Sequence, residues 1–162
     1  MAKRTVGAAG GAAAALALAT VTIGAWEGLS LTPYWDIAHV RSYCRGETAN
    51  VEERRYTVEE CDALLHRSVA KHGAPVIACT PPETPIEVEA AFVSLAYNIG
   101  PTAFCSSSAA RFARAGQWWS ACNAIGAWNK VRLWPSGKLV VSKGLSNRRA
   151  AEMALCRQGL PA

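Results

Sequence analysis

The sequence predicts a mainly α domain of the α+β class, with one small β hairpin near its front. Three observations carry this. Helix-start signals precede apolar repeats at Thr57-Val58-Glu59-Glu60 and again at Thr84-Pro85-Ile86-Glu87. The stretch from Ile86 to Ala96 is apolar around most of a helical surface, the mark of a buried central helix. Only residues 33–46 mix β-branched and aromatic side chains with polar ones, and Gly46 closes them as a hairpin end.

The elements follow in order. Thr57 and Glu60 form a capping box, and Val58, Cys61, Leu64, Leu65 and Val69 recur at helical spacing until Gly73 and Pro75 end the run. Residues 79–82 form a loop. The second box, with proline at the first helical position, opens the central helix, which Gly100-Pro101 stops. Shorter helices are expected over 107–115 and 118–125, and a turn or small hairpin over 134–144. Ser146 or Asn147 caps a last helix that runs to Cys156.

The chain has 162 residues, enough for one core. With 51% hydrophobic residues it is neither disordered nor collagen-like. Its net charge of +5 is unevenly placed. Residues 47–89 hold nine acids and four bases, whereas residues 111–157 hold nine bases and one acid. The basic half reads either as a solvated face or as a surface for an anionic partner, cell wall or outer-membrane material.

From Thr5 to Trp26 no residue is charged, and Lys3 and Arg4 precede the run. As a helix it would span roughly 33 Å, enough for a hydrocarbon core. The flanking bases place its start in the cytoplasm and the rest outside. Nine Ala, four Gly and three Thr leave little apolar area, so a membrane would hold it weakly. It reads as an uncleaved anchor that can leave the bilayer, or as a secretory signal cut after Ala17-Leu18-Ala19. Residues 1–26 are therefore the anchor segment and 27–162 the exported domain. Export argues against a nucleic-acid partner. Six cysteines in that domain read as structural disulfides with 15 possible connectivities. No metal site is expected, because CxxC pairs are absent and the three histidines lack ligand spacing.

Only Glu27 and Asp36 are acidic among residues 1–46. Glu27 borders the apolar run, and desolvation there would raise its pKa and keep it protonated. Asp36, in the β-like segment, would stay ionised. A protonated acid and a carboxylate about a sugar bond are the apparatus of glycoside hydrolysis. Ser42 supplies a hydroxyl to hold a water. Spacing alone also fits two ordinary surface acids. A non-catalytic exported module that binds wall glycan is the alternative.

The order Glu27-Gly28-Leu29, Pro33-Tyr34-x-Asp36-Ile37, Ser42-x-Cys44-x-Gly46 resembles the Glu-x8-Asp-x5-Thr signature of phage-type lysozymes. Tyr56-Thr57-x-x-Glu60-Cys61-x-x-Leu64-Leu65 and Ala91-Phe92-x-Ser94-Leu95-x-Tyr97-Asn98-x-Gly100 resemble the helices that follow in such endolysins, and Gly144-Leu145-x-x-Arg148-Arg149-x-x-Glu152-x-x-Leu155-Cys156 their last helix. The N-terminus resembles that of the signal-anchor-release subgroup. The resemblance implies a two-lobed fold, a β-hairpin lobe and a helical lobe around one long buried helix. It implies a monomeric muramidase without cofactor, cutting the β-1,4 bond between N-acetylmuramic acid and N-acetylglucosamine of peptidoglycan. Glu27 would be the general acid, Asp36 the residue directing water, and Ser42 would stand in the family threonine's place. Asn98 would place substrate or Glu27, or serve the helix end. The enzyme would sit in the host inner membrane facing the periplasm, then become soluble there after a holin depolarises the membrane.

The same resemblance implies the pairs Cys122–Cys156, Cys44–Cys61 and Cys79–Cys105. This chain departs from the pattern at His39, where relatives have glycine, and at Arg41, where they have Trp or Pro. Trp118, Trp119, Trp128 and Trp134 are read as packing residues rather than sugar platforms. Arg148, Arg149 and Glu152 are read as a capping and ion-pair feature at exposed or partly exposed helix sites.

Overall fold

The computed structural model describes residues 8–36, 39–133 and 135–161. Helix α1 (Ala8–Trp26) leads into an antiparallel hairpin of β1 (Ser30–Trp35) and β2 (Arg41–Cys44). Then come α2 (Val58–Cys79), α3 (Ile86–Ile99), α4 (Pro101–Cys105), α5 (Ser108–Arg114) and α6 (Trp118–Ala124). A second hairpin, β3 (Lys130–Arg132) with β4 (Leu139–Val141), precedes α7 (Lys143–Gln158). The hairpin predicted over 134–144 thus starts earlier, at Lys130, and Trp134 falls outside the described residues.

Helix α3 is the axis of the larger lobe. Every residue from Val88 to Ala96 is buried, and α1, α2 and α7 pack around it. Helix α1 buries Ala15, Ala19 and Ile23, one stripe at i, i+4 and i+8, while Val21 faces out. Small side chains on that stripe let α1 approach closely. At Gly73 of α2 a Cβ would collide with Leu16 and touch Val93, so only glycine leaves room for the Leu16 side chain. Among the described residues no helix is long and apolar enough to cross a membrane. The smaller lobe is the β1–β2 hairpin over its own core of Tyr43, Cys44, Tyr56 and Cys61. Sulfur atoms pair as Cys44–Cys61 (2.02 Å), Cys79–Cys105 (2.17 Å) and Cys122–Cys156 (2.03 Å). They tie the small lobe to α2, α2 to α4, and α6 to α7.

Thr57 caps α2 with both capping-box hydrogen bonds, as its local pattern dictates. Gly73 and Pro75, however, do not end the helix, which runs on to Cys79. Val69 and Val76 on either side are buried against the core, and this packing outweighs the hydrogen bond lost at proline. The second capping box does not form. Pro85 is the N-cap of α3 without a side-chain bond, because the Thr84 hydroxyl donates to the Pro81 carbonyl at 2.6 Å. The cap of α7 is Ser142, whose Oγ accepts from the Leu145 amide, while Ser146 donates to the Ser142 carbonyl. Gly100, at φ +91°, does end α3, and Pro101 then opens the unforeseen α4.

Glu89 is buried in α3 with both carboxyl oxygens near the Thr80 hydroxyl, at 2.9 and 3.1 Å. Burial pushes this carboxyl above its usual range, against the opposing hydrogen bonds of Thr80 and Thr84. The folded protein therefore holds this proton to higher pH than the unfolded chain, and ionisation costs stability as pH rises through the raised value. Glu89→Gln is expected to raise the Tm at pH 7. The gain should shrink as pH falls and vanish where Glu89 is protonated in both states. A lower Tm at pH 7 in a pH series of thermal melts would contradict this.

Candidate active site

The site is assembled from two anchorages. The first lies at the end of α1. The Glu27 amide donates to the Ile23 carbonyl at 3.0 Å, and Ile23 is buried in the core, so the last turn is fixed from inside. The Glu27 carboxylate accepts from Arg148 Nη1 at 2.8 Å. The side chain of Arg148 is 8% exposed and that of Glu27 27%. The sequence reading placed Glu27 against apolar neighbours; the structure sets it instead beside a buried guanidinium.

Arg148 belongs to a wider network. Glu152 Oε1 accepts from Ser94 Oγ at 2.8 Å, from Arg149 Nη2 at 2.9 Å and from Arg148 Nε at 3.3 Å. Arg149 Nη1 donates to Asn98 Oδ1 at 3.1 Å and to the Trp128 carbonyl at 3.3 Å. Arg149 is 1% exposed and Glu152 fully buried, which overturns the expectation of exposed or partly exposed helix sites. The i, i+3 and i+4 spacing turns all three side chains onto the face of α7 that meets α3. Burial pushes the Glu152 carboxyl up and the Arg149 guanidinium down, and each is opposed by the other's charge. Among the described residues Arg148 Nη2 is buried without a hydrogen-bond partner, beside the Glu27 carboxylate.

The second anchorage is the β1–β2 turn. The Asp36 amide donates to the Val40 carbonyl at 3.0 Å, and Asp36 Oδ1 accepts from the Val40 amide at 2.8 Å. Ser42 Oγ lies 3.5 Å from Asp36 Oδ2 and 3.3 Å from the Val40 carbonyl, so one proton is shared between two acceptors. Ser42 is 1% exposed. Its hydroxyl faces the Asp36 carboxylate and the hairpin rather than solvent. His39 adopts φ +56°, the left-handed conformation that glycine takes without cost, and it is an exposed turn residue rather than a strand residue. Arg41 has its own use here. It donates from Nε to Glu53 at 2.7 Å and lies over the Trp35 ring.

The structure thus joins Asp36 to Ser42, and Glu27 to Asn98 through Arg148, Glu152 and Arg149. Asn98 is exposed at the end of α3. Between the lobes lies a cavity of about 240 Å³ whose lining includes Arg45, Glu47, Ser68, His72 and Tyr97. The His72 and Tyr97 rings are 5.0 Å apart, and the charges of Glu27 and Arg148 both reach Tyr97. Trp118 and Trp128 pack against the core as expected; Trp119 is half exposed. Sequence reasoning missed Arg45, Ser94 and the buried role of Arg148, Arg149 and Glu152. The one available signal was a pair of arginines and a glutamate on one face of the last helix.

A two-lobed helical domain, with one acid at a helix end and another on a hairpin turn, has the architecture of a lysozyme-like glycoside hydrolase. Residues 24–152 match the phage lysozyme family model, and the chain belongs to that family. It is 35% identical to a SAR-endolysin of Pseudomonas phage phiKMV over 144 residues, 88% of each chain. A SAR-endolysin of Enterobacteria phage P21 is 34% identical, over 97% of this chain and 95% of the relative. The solved endolysin from Escherichia coli O157:H7 phage FAHEc1 superposes with a TM-score of 0.81 at 30% identity, covering 90% of this chain and 94% of that one. The activity is that of a muramidase, an enzyme rather than a non-catalytic binding module.

Proposed function

We propose that this muramidase cuts the β-1,4 bond between N-acetylmuramic acid and N-acetylglucosamine of peptidoglycan, and that it does so after leaving the inner membrane. One observation carries the chemistry. Glu27 and Asp36 have unlike partners: a buried guanidinium for the first, a hairpin amide and a hydroxyl for the second. Glu27 acts as the general acid and gives a proton to the glycosidic oxygen of the leaving sugar. The carboxylate that forms is received by Arg148 without rearrangement. Asp36, aimed by the Val40 amide and Ser42, directs the water that completes hydrolysis. Asn98 acts through Arg149 to steady the network.

Release rests on α1. The helix is a poor membrane span, and its buried stripe of Ala15, Ala19 and Ile23 is built into the core. Cleavage after Ala19 would strip Ala15 and Ala19 from that core, so the fold favours an uncleaved anchor over a processed signal. While α1 lies in the bilayer its stripe is unavailable to α3, and Glu27 lacks its fixed last turn. Depolarisation by a holin frees the helix, which seats on the domain and leaves an active, soluble periplasmic monomer.

The test uses Gly10, Ala13 and Ala17, which face outward on the folded domain. Changing all three to leucine should strengthen membrane retention and leave the core intact. Cell fractionation should then find more protein in the membrane and lysis delayed, with the wild-type soluble protein keeping residues 1–19 by intact mass. Unchanged soluble release, or a mass lacking those residues, would contradict this reading.

A further inference from the structure

We infer that Arg45 is a positioning residue for the reaction: its guanidinium clamps the C-terminal carbonyls of α1 and so fixes the main chain that carries Glu27. The inference rests on Glu27 being the acid. The last carbonyls of a helix have no partner within it and carry the negative end of its dipole. Helix α1 has no basic residue in its own last turn. Arg45 supplies the missing cation from the other lobe. Its Nη1 donates to the Gly24 carbonyl at 3.0 Å and reaches the Glu27 carbonyl at 3.4 Å.

The clamp is itself held. Arg45 Nη2 bonds Asp62 at 3.2 Å, and the neighbouring residues Cys44 and Cys61 are joined by a disulfide. The guanidinium thus stands on two adjacent rungs between hairpin and α2. On the far side of Glu27, the space where a side chain would stand on Gly28 is open. Arg148 therefore fixes the tip of the Glu27 side chain and Arg45 its backbone. Arg45 Nε is buried without a partner among the described residues. The α1 carbonyls come within reach of Arg45 only when α1 sits on the domain, so the clamp closes as the helix docks.

The experiment compares the purified, oxidised full chain with Arg45→Met, Arg45→Lys and Asp62→Asn on soluble, uncross-linked glycan strands. A displaced acid costs rate, not affinity. Arg45→Met should lower kcat roughly 10- to 100-fold with KM within about twofold of wild type. Arg45→Lys should recover part of the loss. Asp62→Asn, at a half-exposed site that tolerates the change, should lower kcat less, several-fold on the order of what a loosened clamp gives. Thermal melts establish the folded fraction at the assay temperature. A kcat for Arg45→Met equal to wild type, or reduced only in proportion to its folded fraction, overturns the inference. Should Arg45→Met fail to fold, an unchanged kcat for Asp62→Asn overturns it. Full activity in Glu27→Gln would instead sink the acid assignment, whatever the Arg45 variants do.

Discussion

Glu27→Gln is expected to lower turnover of peptidoglycan by roughly 10²–10⁴-fold while leaving the fold intact. The amide has the size of the carboxyl, and its oxygen can still accept from Arg148 Nη1. Arg148 also keeps its bond to Glu152, so no guanidinium is stranded. What the amide cannot do is give a proton to the leaving oxygen. Rates of turbidity loss from purified cell walls, set beside thermal melts, separate the two effects. The expected pattern is a lost rate with an unchanged Tm. A rate within a few-fold of wild type would remove Glu27 from the chemistry.

Glu152→Gln should produce the largest loss of stability, about 3–5 kcal/mol, because it breaks a buried ionic network from its centre. Glu152 takes hydrogen bonds from Arg148, Arg149 and Ser94 and is the only acid on α7. Without its charge, Arg149 is left buried with only neutral acceptors, and Arg148 faces Glu27 alone. Breaking the network also loosens Arg148, so activity should fall beyond what the unfolded fraction explains. Denaturant unfolding of both proteins at pH 7 measures the first effect. A change below about 1 kcal/mol would mean that the network contributes little beyond what an exposed pair gives.

Local rules made parts of this fold legible. The capping box at Thr57 needs only residues three apart, and Gly100-Pro101 cannot continue a helix, so both were readable from neighbours. Gly73 misled because its neighbours Leu16 and Val93 lie 57 and 20 residues away in sequence, and Pro75 because Val69 and Val76 hold the helix against the core on either side of it. At Thr84 and Ser146 several acceptors compete for one hydroxyl, and sequence does not rank them. For the site, spacing alone left Glu27 and Asp36 as ordinary acids; it was the resemblance to phage-type lysozymes that singled them out. His39 fits the same picture, since a side chain stands where the turn demands a left-handed backbone. Arg148, Arg149 and Glu152 looked like a solvated helix pattern, and only the burial of α7 against α3 reveals them as the support of Glu27. Arg45 gave no signal, because a lone arginine between a cysteine and a glycine says nothing about a helix end 21 residues earlier.

The central claim is tested most directly by mass spectrometry of the saccharide ends released from purified peptidoglycan by the oxidised, soluble protein. The account predicts new reducing ends at N-acetylmuramic acid with wild type and none above background with Glu27→Gln. Reducing ends at N-acetylglucosamine, anhydro-muramyl ends, or equal product from both proteins would contradict it.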